Sequence, residues 1–78
     1  MLVNVGNGNY VDSDKILAVT RVDSNPVLKL VQAADSRNAL IDVTWGRRRR
    51  SVVFLQGGTL VLSMLEPGTI VRRMPGNA

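Results

Sequence analysis

Four consecutive arginines, Arg47 to Arg50, are the residues of this 78-residue chain whose type and spacing point most directly to a chemistry, and that chemistry is anion binding. Each guanidinium presents a flat fork of donors that matches phosphate oxygens and guanine edges, where lysine offers a point charge. Four such groups side by side repel one another unless solvent or an anion screens them, so the run calls for a polyanionic partner. The residues that usually carry enzymatic work are missing. Cysteine and histidine are both absent, which removes thiolate nucleophiles, disulfides, the usual zinc ligands and the side chain best suited to proton transfer near neutral pH. Ser13, Ser24, Ser51 and Ser63 have no histidine to activate them and read as caps or strand residues. Gly6-Asn7-Gly8 lacks the third glycine and following helix of a nucleotide cradle and reads as a turn. No catalytic constellation, cofactor, metal or small-molecule substrate is expected.

Charge is polarised along the chain. Ten basic residues face six acidic ones, for a formal charge of +4. Asp12, Asp14, Asp23, Asp35 and Asp42 all precede the arginine run, whereas the chain from Gly46 onward carries Arg47, Arg48, Arg49, Arg50, Arg72, Arg73 and a single acid, Glu66. Only Tyr10, Trp45 and Phe54 are aromatic, too few for a stacking platform, so phosphate contact is the more natural mode. A charge run also serves as a solvated edge that blocks aggregation, and its composition fits a nuclear-localisation signal. Asp42 beside the run reads as an ion-pair partner that orients one arginine, and Trp45 as core or subunit-contact surface.

The elements that must position these arginines are mostly strands. Leu2 to Val5 alternates as a short strand, Gly6 to Asn9 turns it back, and Asp12 to Lys15 reads as a polar turn or one helical turn. Ile16 to Val22 is rich in branched residues and reads as a strand. One good helix starts at Ser24-Asn25-Pro26, with Ser24 or Asn25 as cap, proline in the first turn, and Val27, Leu28, Leu30, Val31 and Ala34 at helical spacing; Arg37 suits its last turn and Asn38 its stop. Leu40 to Trp45 alternates with Ile41, Val43 and Trp45 on one face, and the arginines then occupy the reversal before a strand at Ser51 to Leu55. If residues 47–50 are extended, Arg47 and Arg49 point one way and Arg48 and Arg50 the other. Gln56-Gly57-Gly58 joins Ser51–Leu55 to a strand at Thr59–Leu65; both strands are apolar on both faces and need cover from the helix and a second sheet, or from a neighbouring subunit. Thr69 to Met74 reads as a helical turn or short strand, and residues 75–78 as a frayed tail. The fold class is α+β, a small, mostly antiparallel sheet with one main helix, in a single domain over residues 1–74.

Val3-Asn4-Val5-Gly6-Asn7-Gly8-Asn9, Leu40-Ile41-Asp42-Val43-Thr44-Trp45-Gly46-Arg47-Arg48-Arg49-Arg50 and Val61-Leu62-Ser63-Met64-Leu65-Glu66-Pro67 together resemble the RemA family of bacterial regulators of extracellular-matrix genes. The most specific part is the block L-I-D-[AV]-T-[YW]-G-R-R-x-R, and the likeness runs from about Leu2 to Met74. It implies a LytTR-like DNA-binding subunit in a ring-shaped homo-oligomer of about eight copies, which binds and bends duplex DNA and activates transcription of biofilm-matrix genes. Carried over position by position, Arg47 and Arg48 match the paired arginines after the glycine, Arg50 matches the later one, and Lys15 stands where the family often has arginine. Arg49 departs from a small polar residue and adds charge to the nucleic-acid-binding set, Asn7 departs from an aromatic one, and Gly68 from an acidic one.

A soluble cytoplasmic protein is the expectation, since no apolar stretch reaches bilayer-spanning length and the start lacks a signal-peptide pattern. A chain of this size buries only roughly 60 to 65% of its unfolded surface, which favours self-association. Two other partners fit the same basic surface: single-stranded RNA bound by such a ring, or an acidic protein or anionic surface docked by a structural protein.

Overall fold

The computed structural model of the chain describes residues 1–76. Strand β1 (Leu2–Gly6) folds back on β2 (Asn9–Asp12) through the glycine-asparagine turn. Asn7 and Gly8 take φ of +54° and +76°, the left-handed region that asparagine and glycine tolerate. In the hairpin register Val3 faces Val11, and Val3 and Val5 are buried, which leaves Leu2 and Tyr10 exposed. A 3-10 turn, Ser13–Lys15, follows, capped by the Asp12 carboxylate, which accepts from the Asp14 N–H at 3.0 Å.

Strand β3 (Ile16–Arg21) leads to helix α1 (Asn25–Ser36). Ser24 is the cap: its hydroxyl accepts from the Val27 N–H at 3.3 Å. Asn38 ends the helical run at φ +57°. At about 100° per residue Val27, Val31 and Ala34 centre the apolar stripe, while Leu30 lies about 70° to one side and Leu28 about 90° to the other. Packing follows that geometry. Val31 and Ala34 are buried and Val27 half-buried, whereas Leu28 and Leu30, placed by spacing on the packed face, are exposed.

Strands β4 (Leu40–Asp42), β5 (Ser51–Leu55) and β6 (Leu60–Ser63) complete a sheet of order β3-β5-β6-β4. The reversal that sequence suggests between residues 45 and 51 is not a hairpin, because β6 lies between β4 and β5 and pairs parallel with β4. The other pairs are antiparallel. On one face Val52, Leu60 and Leu62 pack under Val31 and Ala34 of α1. On the other, Val53 and Val61 pack under Val3, Val5 and Ile70. Each face therefore has its own cover within one chain, which is why β5 and β6 read as apolar on both sides. Full burial of a side chain such as Leu62 or Ile70 contributes about 1.5–3 kcal/mol.

Ile70 belongs to a second helix, α2 (Pro67–Arg73), which takes the helical of the two alternatives that Thr69 to Met74 offers, a helical turn or a short strand, and starts two residues earlier. Proline at its start loses no needed donor, and Arg73 Nη1 donates to the Asn4 carbonyl at 3.0 Å, fastening α2 to β1. The architecture is thus α+β with two sheets and two helices. Pro75 and Gly76 form a turn, and residues 77–78 of the expected tail lie outside the described residues. Among the described residues no helix is long and apolar enough to cross a membrane.

Candidate nucleic-acid interface

The arginine loop begins where a carboxylate stops a strand. Asp42 Oδ1 accepts from the Thr44 N–H at 2.9 Å and from the Thr44 hydroxyl at 2.6 Å, diverting the backbone from the sheet after three residues of β4. Alternation carried to residue 45 puts Ile41, Val43 and Trp45 on one face; of the three only Val43 is buried, and Trp45 is surface rather than core. Trp45 is 74% exposed with φ +54°, followed by Gly46 at +80°, and the Arg47 N–H closes the turn on the Thr44 carbonyl at 3.0 Å.

Both ends of the loop are held by neighbouring residues of one strand. The Val43 N–H donates to the Leu62 carbonyl at 3.1 Å and the Arg50 N–H to the Ser63 carbonyl at 2.9 Å, so residues 44–49 arch over the end of β6. All four arginines are exposed. They differ in their partners. Arg49 Nη2 lies 3.2 Å from Asp42 Oδ2, the orienting ion pair that their proximity in sequence suggests. Arg50 Nη1 lies 2.9 Å from Glu66 Oε1, at the start of α2. Among the described residues Arg47 and Arg48 make no ion pair and no side-chain hydrogen bond. Arg47, Arg48 and Arg50 border an open hollow of about 290 Å³ floored by Met64 and Leu65. Arg48, Arg49 and Arg50 together border a smaller cleft, so the run does not follow the simple alternation of an extended strand.

Burial pushes the Asp42 carboxyl up, but the hydrogen bonds from Thr44 and the charge and hydrogen bond of Arg49 outweigh it and hold the group below its ordinary value. Asp42 therefore stays ionised and keeps the loop's first turn in place near neutral pH. Among the described residues no cluster of acids could hold a metal ion.

Lys15 is not brought to this site. Its carbonyl accepts from the Gln56 N–H just beyond the Leu55 end of β5, whereas the arginines enter β5 at Ser51, about 13 Å of strand away. Arg21, by contrast, is close and was not singled out from sequence. It pairs in register with Ser51, next to Arg50, and borders the smaller cleft with Asp23, Arg48, Arg49, Arg50 and Glu66. Only the pairing of β3 with β5, separated by the whole of α1 and β4, brings it there.

The sequence pattern of the RemA-like family, described as extracellular matrix regulatory protein A-like, matches residues 2–74. The chain belongs to the RemA-like family. Similar proteins, named only as candidate regulatory proteins, occur in Dictyoglomus thermophilum, 47% identical over 96% of this chain and 88% of the relative. Another, in Thermosynechococcus vestitus, is 42% identical over 94% of this chain and 95% of the relative. One in Brevibacillus brevis is 36% identical over 94% and 85% respectively. The family description and the relatives' names alike describe regulation, and the family match spans β1 through α2, arginine loop included.

Proposed function

We propose that this RemA-like protein is a cytoplasmic DNA-binding regulator of extracellular-matrix genes that grips duplex phosphates with Arg47 and Arg48, supported by Arg50, Arg49 and Lys15. The observation that carries this reading is the pair of exposed guanidiniums at Arg47 and Arg48, held forward by a loop pinned at both ends and matched by no carboxylate among the described residues. A polyanion supplies the screening that the fold does not. Arg50 contributes once a phosphate competes with Glu66, and Arg49 keeps the loop on Asp42 while adding to the field.

In the same proposal the subunit is LytTR-like and assembles into a ring of about eight copies. Each chain covers both sheet faces by itself, so the ring is not needed to complete the core. Exposed Leu2, Tyr10, Leu17, Ile41 and Trp45 are apolar surface that assembly would bury. A ring would also repeat the arginine loop around one rim, with Lys15 repeated about 13 Å of strand away from it. Bent duplex touching several subunits would then lose affinity by about 0.9 log units per phosphate contact for each tenfold rise in salt, with selectivity leaning on DNA deformability.

The test is gel-shift retention of a duplex of about a hundred base pairs. Arg47→Ala combined with Arg48→Ala should abolish retention while light scattering reports the same assembly mass as the parent protein. Retention at the parent level would remove these two residues from the interface. Preferential displacement by single-stranded RNA over unlabelled duplex would reassign the partner.

A further inference from the structure

We infer that Arg21, at the end of β3, is a further phosphate-binding residue of this protein, and that Asp23 and Glu66 are resident counter-ions which a phosphate displaces. This rests on the DNA-binding reading proposed above. Strand pairing brings the residues together: Arg21 is the register partner of Ser51, so its backbone lies beside the chain as it leaves Arg50. The two are 29 residues apart in sequence and adjacent in space.

The cleft between them measures about 60 Å³, room for about two waters or one phosphoryl group. Four guanidiniums, from Arg21, Arg48, Arg49 and Arg50, and two carboxylates, from Asp23 and Glu66, border it. Arg21 Nη2 lies 2.6 Å from Asp23 Oδ2 and Arg50 Nη1 lies 2.9 Å from Glu66 Oε1. Charges also act across the cleft: the field of Glu66 reaches Arg21 and that of Arg48 reaches Asp23. Arg49 is paired with Asp42 outside the cleft, which leaves Arg48 as the one of the four without an ion-pair partner among the described residues. A phosphate entering here meets donors on both sides, from the end of β3 and from the arginine loop, and continues the track of Arg47 and Arg48 across the end of the sheet.

The acids are placed to be displaced. Asp23 and Glu66 are 62% and 61% exposed at their side chains, and each holds its arginine through one described contact. Exposed pairs of this kind are weakly held and screened by salt, while a phosphate offers the same guanidinium more acceptor oxygens. Asp23 and Glu66 therefore keep the cleft from collecting small anions and surrender their arginines to a duplex whose other phosphates are already held nearby.

The experiment measures retention of the duplex against salt for the full chain and three variants, with assembly mass checked by light scattering. Arg21→Ala should weaken binding by about eightfold at 0.1 M relative to 1 M salt for each subunit engaged, and lower the salt slope by about 0.9 per subunit. Arg21→Lys should restore most of that slope. Glu66→Gln, which keeps size and shape while freeing Arg50, should bind more tightly than the parent. An Arg21→Ala slope equal to the parent's, or weaker binding by Glu66→Gln, would overturn the inference while leaving the Arg47 and Arg48 interface standing. A parent protein that retains no duplex would remove the DNA-binding reading itself.

Discussion

Ser51 and Ser63 face each other across the β5–β6 ladder, both fully buried, and substitution of each by alanine should change stability in opposite directions. The Ser63 hydroxyl donates to the Val5 carbonyl at 2.7 Å and accepts from the Leu65 N–H at 3.0 Å, tying the hairpin layer to the sheet just where β6 meets the arginine loop. Ser63→Ala leaves the buried Val5 carbonyl and the part-buried Leu65 N–H without this partner. Each buried group left unpaired costs about 1–3 kcal/mol, so the pair costs about 2–4 kcal/mol after some relaxation. A chain of this length has about 4–12 kcal/mol of stability in all, so this loss is a large fraction of it. The Ser51 hydroxyl finds no partner among the described residues, so Ser51→Ala removes a polar group already buried without compensation. It should be neutral or stabilise by up to about 1 kcal/mol. Urea unfolding followed by circular dichroism at one fixed protein concentration separates the two, since assembly otherwise shifts the midpoint. With a slope of about 1 kcal/mol/M, Ser63→Ala should lower the midpoint by about 2–4 M. Equal destabilisation by both substitutions would refute the assignment of the bracket to Ser63.

Two other substitutions probe the loop. The Asp42 carboxyl is held below its ordinary value when folded, so its contribution to stability is present above about pH 4 and is lost as pH falls through the folded value. Asp42→Asn should remove that part of the pH dependence and cost about 1–2 kcal/mol near pH 7, read as the difference between parent and variant melting curves over pH 2–7. Trp45→Gly should stabilise the isolated fold by up to about 1 kcal/mol in urea, because φ +54° strains an exposed bulky residue that touches no core and suits glycine. A lower midpoint for Trp45→Gly would mean that the indole is held by contacts within its own subunit or its neighbour.

Much of the scaffold can be read from residue types. The Gly6 to Asn9 turn, the Ser24 cap, the Asn38 stop and the glycine loop at residues 56–58 all carry local backbone demands that few other residues meet, and each is observed. The errors arise where a distant group or a single side chain overrides the local pattern. Alternation from Leu40 to Trp45 continues past the point where the Asp42 carboxylate captures Thr44 and turns the chain, so Trp45 is exposed. Parallel pairing of β4 with β6 depends on the path of the loop over β6, which no periodicity encodes. Among the site residues, the arginine run is plain in sequence and so is the nearby acid at Asp42. The division of the run is not: Glu66 reaches Arg50 from 16 positions away, and Arg21 arrives through a cross-strand pairing. Sequence shows how much charge is present, while tertiary contacts decide which charge is already occupied.

Because the Leu62 and Ser63 carbonyls hold the bridge at Val43 and Arg50, the span between those two anchors is mechanically separate from the sheet it crosses. Side chains along it can be exchanged, and the span lengthened, with little strain reaching the strands, since extending a loop whose ends are already fixed adds only a slowly growing entropy cost. A few exposed positions of the span can thus be rewritten while the two carbonyl anchors keep the framework constant.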